Sequence, residues 1–154
     1  MITCKTILVA NQIILDEITK NISAISILED STIVAEFGTF SLSILTAFDK
    51  TKDDKTESPN IWLKIYLDDE ELHKLQLNIR FGVNSFKSRN IASLGGLLVV
   101  KRAGQLIFKV VLDNNRTLKE VSFEITKAQP NAISATIAEK SRSPEKLKRG
   151  KIRR

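Results

Sequence analysis

The sequence predicts an all-β fold: an antiparallel two-sheet, immunoglobulin-like sandwich over residues 1–127, followed by a flexible basic tail over 128–154. Three observations carry this expectation. Apolar residues alternate with period two in one run after another, the mark of a strand with one buried face. Turn signals separate the runs at spacings of about ten residues, as in a sandwich. No helical periodicity appears before residue 128.

The elements follow in chain order. Cys4 to Leu15 reads as a first strand, broken by Asn11 and Gln12 and closed by Asp16-Glu17. Phe40, Leu42, Ile44, Thr46 and Phe48 form an inward set, with Ser41, Ser43, Leu45 and Ala47 outward. Asp49 to Asn60 is polar, ends at Pro59 and reads as a long exposed loop. Ile61, Leu63, Ile65 and Leu67 alternate with Trp62, Lys64 and Tyr66, and Leu75, Leu77, Ile79 and Phe81 alternate with Lys74, Gln76, Asn78 and Arg80. A turn at Asp68-Asp69-Glu70 makes these two runs a hairpin. Gly95, Gly96 and Gly104 mark a crossover or bulge. Leu106 to Leu112 and Val121 to Ile125 complete seven or eight strands, joined at Asp113-Asn114-Asn115.

Composition narrows the function. With 154 residues, 42% hydrophobic and 27% charged, the chain suits one folded domain. One cysteine excludes an intramolecular disulfide and a cysteine metal cluster, and one histidine excludes any multi-histidine site. No apolar run reaches the roughly 20 residues of a membrane-spanning helix. No export signal is visible, so a cytoplasmic location is expected. The formal charge is +6, and the tail accounts for all of it: eight basic residues there face only Glu139 and Glu145. Residues 1–127 are therefore neutral. In the tail Asn131 suits the cap of a short helix through Lys140, with Ile133 and Ile137 on one face and Ser143-Pro144 as its end. The last ten residues suit a disordered segment.

Residues 3–127 resemble a bacterial domain family of unknown function with a predicted immunoglobulin-like sandwich. Three stretches carry the likeness. The opening Cys4-Lys5-Thr6-Ile7-Leu8-Val9-Ala10, with Ile13-Ile14-Leu15-Asp16-Glu17 and Asn21 to Glu29, is similar to the family's start. Leu67-Asp68-Asp69-Glu70-Glu71-Leu72 is similar to its central hairpin, and Ala103-Gly104-Gln105-Leu106-Ile107-Phe108 to its closing strand. That strand usually reads Pro-Gly-x-Tyr-x-Phe; here Ala103 and Leu106 replace the Pro and the Tyr. The resemblance implies a fold and no activity, ligand or site.

No constellation points to catalysis or to a bound cofactor. Cys4 and His73 are the only nucleophile–base pair on offer, and their spacing indicates no contact; a small buried residue and an end-of-strand histidine explain them better. The glycines form no phosphate-binding loop. Asp16, Glu17, Asp49, Asp53, Asp54 and Asp113 would share one end of the sandwich and could hold calcium. Lys50, Lys52 and Lys55 offset them, and a solvated loop of mixed charge is favoured.

The sequence therefore predicts a non-catalytic binding or adaptor protein with a protein partner. The expected surface is the outer face of the central hairpin: Trp62, Lys64, Tyr66, Lys74 and Arg80, which hold the chain's only Trp and only Tyr. The expected cross-strand pairs are Ile65 with Leu75, Leu63 with Leu77, Tyr66 with Lys74, Lys64 with Gln76 and Trp62 with Asn78. The first alternative is a nucleic-acid-associated protein using Lys146, Lys148, Arg149, Lys151, Arg153 and Arg154, whose charge suits phosphates; the second, less favoured, is an enzyme of unknown reaction. The sequence does not fix the oligomeric state.

Overall fold

The structure, a computed structural model, describes residues 1–16, 18–29, 31–33 and 38–127, with backbone alone at 31–33 and 95–97. The tail, its expected helix and Glu17 lie outside the described residues.

Nine strands form among the described residues, and no helix. They are β1 (Ile2–Leu15), β2 (Ile22–Ile27), β3 (Ser31–Ile33), β4 (Gly38–Lys50), β5 (Ile61–Leu67), β6 (Glu70–Leu77), β7 (Lys87–Val100), β8 (Gly104–Leu112) and β9 (Thr117–Lys127). One sheet has the order β2-β1-β4-β7 and the other β3-β9-β8-β5-β6. Every pairing is antiparallel except that of β3 with β9. The count thus exceeds the expected seven or eight, and the five-stranded sheet is mixed at one edge. β3 carries too few residues for alternation to reveal it.

The core lies between the sheets. Ile7, Val9, Leu42, Ile44, Phe48 and Val100 from one sheet join Ile61, Leu63, Ile65, Leu106, Phe108 and Val110 from the other in a single buried cluster. Burying each such side chain stabilises by about 1.5–3 kcal/mol. β5 is alternation in its simplest form: Ile61, Leu63 and Ile65 are fully buried, and Trp62, Lys64 and Tyr66 between them are partly exposed. Phe108 meets Phe123 edge-on, with ring centroids 5.9 Å apart.

Bulges hide the pattern elsewhere. β1 slips against β4 between Cys4 and Thr6. Ile2 and Cys4 therefore point inward on even numbers, and Ile7 and Val9 on odd ones. An extra residue flips every later side chain to the other face.

Among the described residues the chain passes between the sheets five times, at β2–β3, β3–β4, β4–β5, β6–β7 and β7–β8; the third and fourth passages frame the hairpin. From β4 to β5 it runs through the expected polar loop, where Asp54 meets the N-terminal amine at 2.9 Å. That loop is pinned to the body: Lys50 Nζ donates to the Thr56 carbonyl, and the Phe81 N–H donates to the Glu57 carbonyl. After Leu77 the chain leaves β6 for β7. Along this path Ile79 and Phe81 are buried, while Asn78 and Arg80 are exposed. Asn90 and Ser88 of β7 donate to the Asn78 and Arg80 carbonyls.

Gly104 opens β8 with φ 155°. A Cβ there would lie 2.6 Å from a carboxylate oxygen of Asp68. That carboxylate accepts from the Gln105 N–H and pairs with Arg102. Asp68 itself has φ 53°, the left-handed region that Asp tolerates in tight turns.

Candidate partner-binding face

The outer face of the five-stranded sheet gathers four of the five expected residues. β5 lies between β6 and β8, so its outward side chains have neighbours on both sides. The register places Lys64 opposite Lys74 on β6 and opposite Lys109 on β8. Three lysines thus stand in one row across three strands. Trp62 and Tyr66, two positions to either side on β5, bracket the row.

The polar contacts are specific. Lys74 Nζ sits 4.3 Å from the Trp62 ring centroid, and Lys109 Nζ 5.5 Å from that of Tyr66. Both are within the reach of a cation–π attraction. Trp62 Nε1 donates to Asp113 Oδ1 at 3.0 Å, and the Tyr66 hydroxyl donates to Glu71 Oε2 at 3.1 Å. Burial raises the Tyr66 hydroxyl above its usual pKa, and the Glu71 hydrogen bond and charge add to the shift. Lys109 also pairs with Glu120 at 3.4 Å, whereas Lys64 Nζ donates only to the neutral Asn115 Oδ1 at 3.4 Å.

Among the described residues, then, an acid lies within ion-pair distance of only one of the three lysines. Like charges directly opposite on a sheet are destabilising, so this row is held at a cost to the fold.

The hairpin register differs from the expected one by two residues. Trp62 faces Gln76, Leu63 faces Leu75 and Ile65 faces His73. The turn is tighter than the acidic run suggests, with Leu67 opposite Glu70, and a bulge follows between Ile65 and Tyr66. Arg80 is not part of the face, because β6 ends at Leu77 and the chain has already turned toward β7. Lys109 takes its place. The outward parity of Lys109 is visible in the alternation of β8, but the adjacency of β8 to β5 is a tertiary fact.

The other sheet's outer face is different in kind. Leu8, Leu45 and Ile91 stand in one row, and Ile25 and Ile27 remain about half exposed beside it. Loop carboxylates do not converge: among the described residues no group of three or more His, Cys, Asp or Glu could hold a metal. Cys4 is buried and donates to the Thr6 carbonyl, and burial pushes its thiol up to about 11. His73 is exposed on β6. No hydrogen bond joins the two. No described helix is long and apolar enough to cross a membrane.

The fold and this face define an all-β, two-sheet protein with one aromatic, lysine-bearing face and one largely aliphatic face. No protein-family model matches the chain, and no curated protein matches it.

Proposed function

We propose that the protein is a non-catalytic binding or adaptor protein, and that the Trp62–Lys64–Tyr66–Lys74–Lys109 face takes an acidic segment of a protein partner. The observation that carries this reading is the lysine row, in which Lys64 and Lys74 have no acid within ion-pair distance among the described residues. The row spans two strand spacings, about 10 Å, which suits a few acidic side chains. Trp and Tyr beside it supply the amphipathic contact area typical of binding hot spots. The ring faces already carry ammonium groups, which disfavours base stacking. We read the two-sheet body as an immunoglobulin-like sandwich and its location as cytoplasmic.

The test is a titration of the full chain with a fluorescent glutamate-rich peptide. Binding should weaken with salt and be lost in Lys64→Glu/Lys74→Glu; binding indifferent to both changes contradicts the reading.

The second reading is nucleic-acid association through the tail, favoured by the placement of the whole +6 charge after residue 128. If about five of the tail's basic residues neutralise phosphates of duplex DNA, log K should fall with log salt at a slope of about −4.5. Replacing Lys146, Lys148, Arg149, Lys151, Arg153 and Arg154 with Gln should then abolish DNA binding, while the face variants leave it intact.

A further inference from the structure

A cleft of about 510 Å³ opens along the side of the body between β6 and β7. Each is the edge strand of its sheet, and two irregularities shape the opening. In β6 the ladder to β5 slips, leaving Leu72 as the extra residue between Glu71 and His73. In β7 the ladder to β4 slips as well: Phe40 faces Leu98 while Leu42 faces Leu94. A bulge bends its strand and re-aims the side chains around it. Leu72 and Leu75 line one wall, Leu94 and Leu98 the other, and Leu67 is also in contact with the space.

The size falls within the range of about 300–1,000 Å³ usual for small-molecule sites. The interrupted ladders make both edges poor templates for an added strand, which favours a compact occupant over an extended peptide. The charged groups of the lining are unequal. Arg102 is held by Asp68 and lies 3.9 Å from Glu70. Lys101 also lines the cleft, is exposed, and has no acid within ion-pair distance among the described residues. Glu70, His73 and Ser93 also line the cleft, so its wall is leucine-rich and not wholly aliphatic; the leucines beside the one uncompensated cation match an apolar chain that ends in an anion.

We propose that this cleft binds a small amphipathic carboxylate, a fatty acid of medium chain length. Its alkyl chain would lie between Leu72, Leu75, Leu94 and Leu98, with its carboxylate on Lys101. This site is separate from the lysine row, whose side chains leave the opposite face of the sheet.

Calorimetric titration of the full chain with octanoate and with octanol tests it. Octanoate should saturate one site and bind tenfold or more tightly than octanol. Lys101→Glu, a surface change, should weaken octanoate at least tenfold and leave octanol unaltered. Leu72→Gln should weaken both, with thermal unfolding confirming that the variant folds; if it does not fold, the Lys101 result decides. Lys64→Glu should change neither, which separates this site from the proposed partner face. Absence of saturable octanoate binding overturns the proposal, as does equal binding of the two ligands with no response to Lys101→Glu.

Discussion

Replacing Lys64 with glutamine should make the fold more stable. Lys64 stands directly opposite both Lys74 and Lys109, and its Nζ donates to a neutral amide oxygen. Each like-charge pair costs roughly 0.2–1 kcal/mol on a sheet. The side chains are partly exposed, so solvent screening holds the sum near the low end, at about 0.5–1 kcal/mol. Glutamine removes the charge and keeps a donor for Asn115. For a domain of this size 1 kcal/mol moves the unfolding midpoint by about 2–4 °C, so a rise of about 1–4 °C is expected. Thermal unfolding followed by circular dichroism should be run at about 10 mM and about 1 M salt, where the Debye length is about 30 Å and about 3 Å. The gain should be present at low salt and nearly gone at high salt. Lys109→Gln is the control: it relieves only the Lys64–Lys109 half of the repulsion and also loses the Glu120 pair and the Tyr66 ring contact, so it should bring no gain in stability. A loss of stability in Lys64→Gln, or a gain unchanged by salt, would refute the claim that the row is held against repulsion.

Three further outcomes follow from the same geometry. Gly104→Ala should lower stability by more than about 1 kcal/mol, because its Cβ meets the Asp68 carboxylate at a positive φ, and urea unfolding reads this directly. The Gln105 N–H and then Arg102 hold the Asp68 carboxyl below its usual pKa of about 3.9. A carboxyl depressed in the folded state stabilises above its unfolded pKa, and that stabilisation is lost as pH falls through the folded value. The gap between wild type and Asp68→Asn should therefore be constant from neutral pH down to about pH 5 and close below about pH 4; a gap independent of pH would show that the charge does not matter. Cys4 should resist an aromatic disulfide reagent at about pH 8 in the folded protein and react promptly in denaturant, since the thiolate is the reactive form; rapid labelling of the native chain would mean the thiol is not buried.

Much of the all-β body was legible in the sequence because β5 alternates throughout and β8 alternates from Leu106 to Val110, while in β4 Leu42, Ile44, Thr46 and Phe48 keep one parity although Ser43 and Leu45 between them are buried as well. Their inward residues are the core, and β5 has the bounds its pattern gives. The less legible parts share one cause. A bulge leaves no composition signal, so the parity switch in β1, the extra Leu72 in β6 and the slip in β7 are invisible until the ladders are known. The buried Ile79 and Phe81 continue the alternation of β6 although the chain has left the sheet, which is why Arg80 reads as part of the hairpin face. Trp62, Lys64, Tyr66 and Lys74 were readable because they lie on adjacent strands joined by a short turn. Lys109, Asp113, Asn115 and Glu120 come from β8, β9 and the turn between them, and only the strand order brings them to Trp62 and Lys64.

The most direct test of the partner face is site-specific photo-crosslinking in the native host. A photoreactive residue would replace exposed Gln76, beside Trp62 on the lysine face, or Ile27 on the outer face of the other sheet. A partner seated on the lysine face should give a discrete protein adduct from position 76 that disappears when Lys64→Glu/Lys74→Glu is added to the same chain. An adduct from position 27 alone, or one from position 76 that persists after the charge reversal, would contradict that seating.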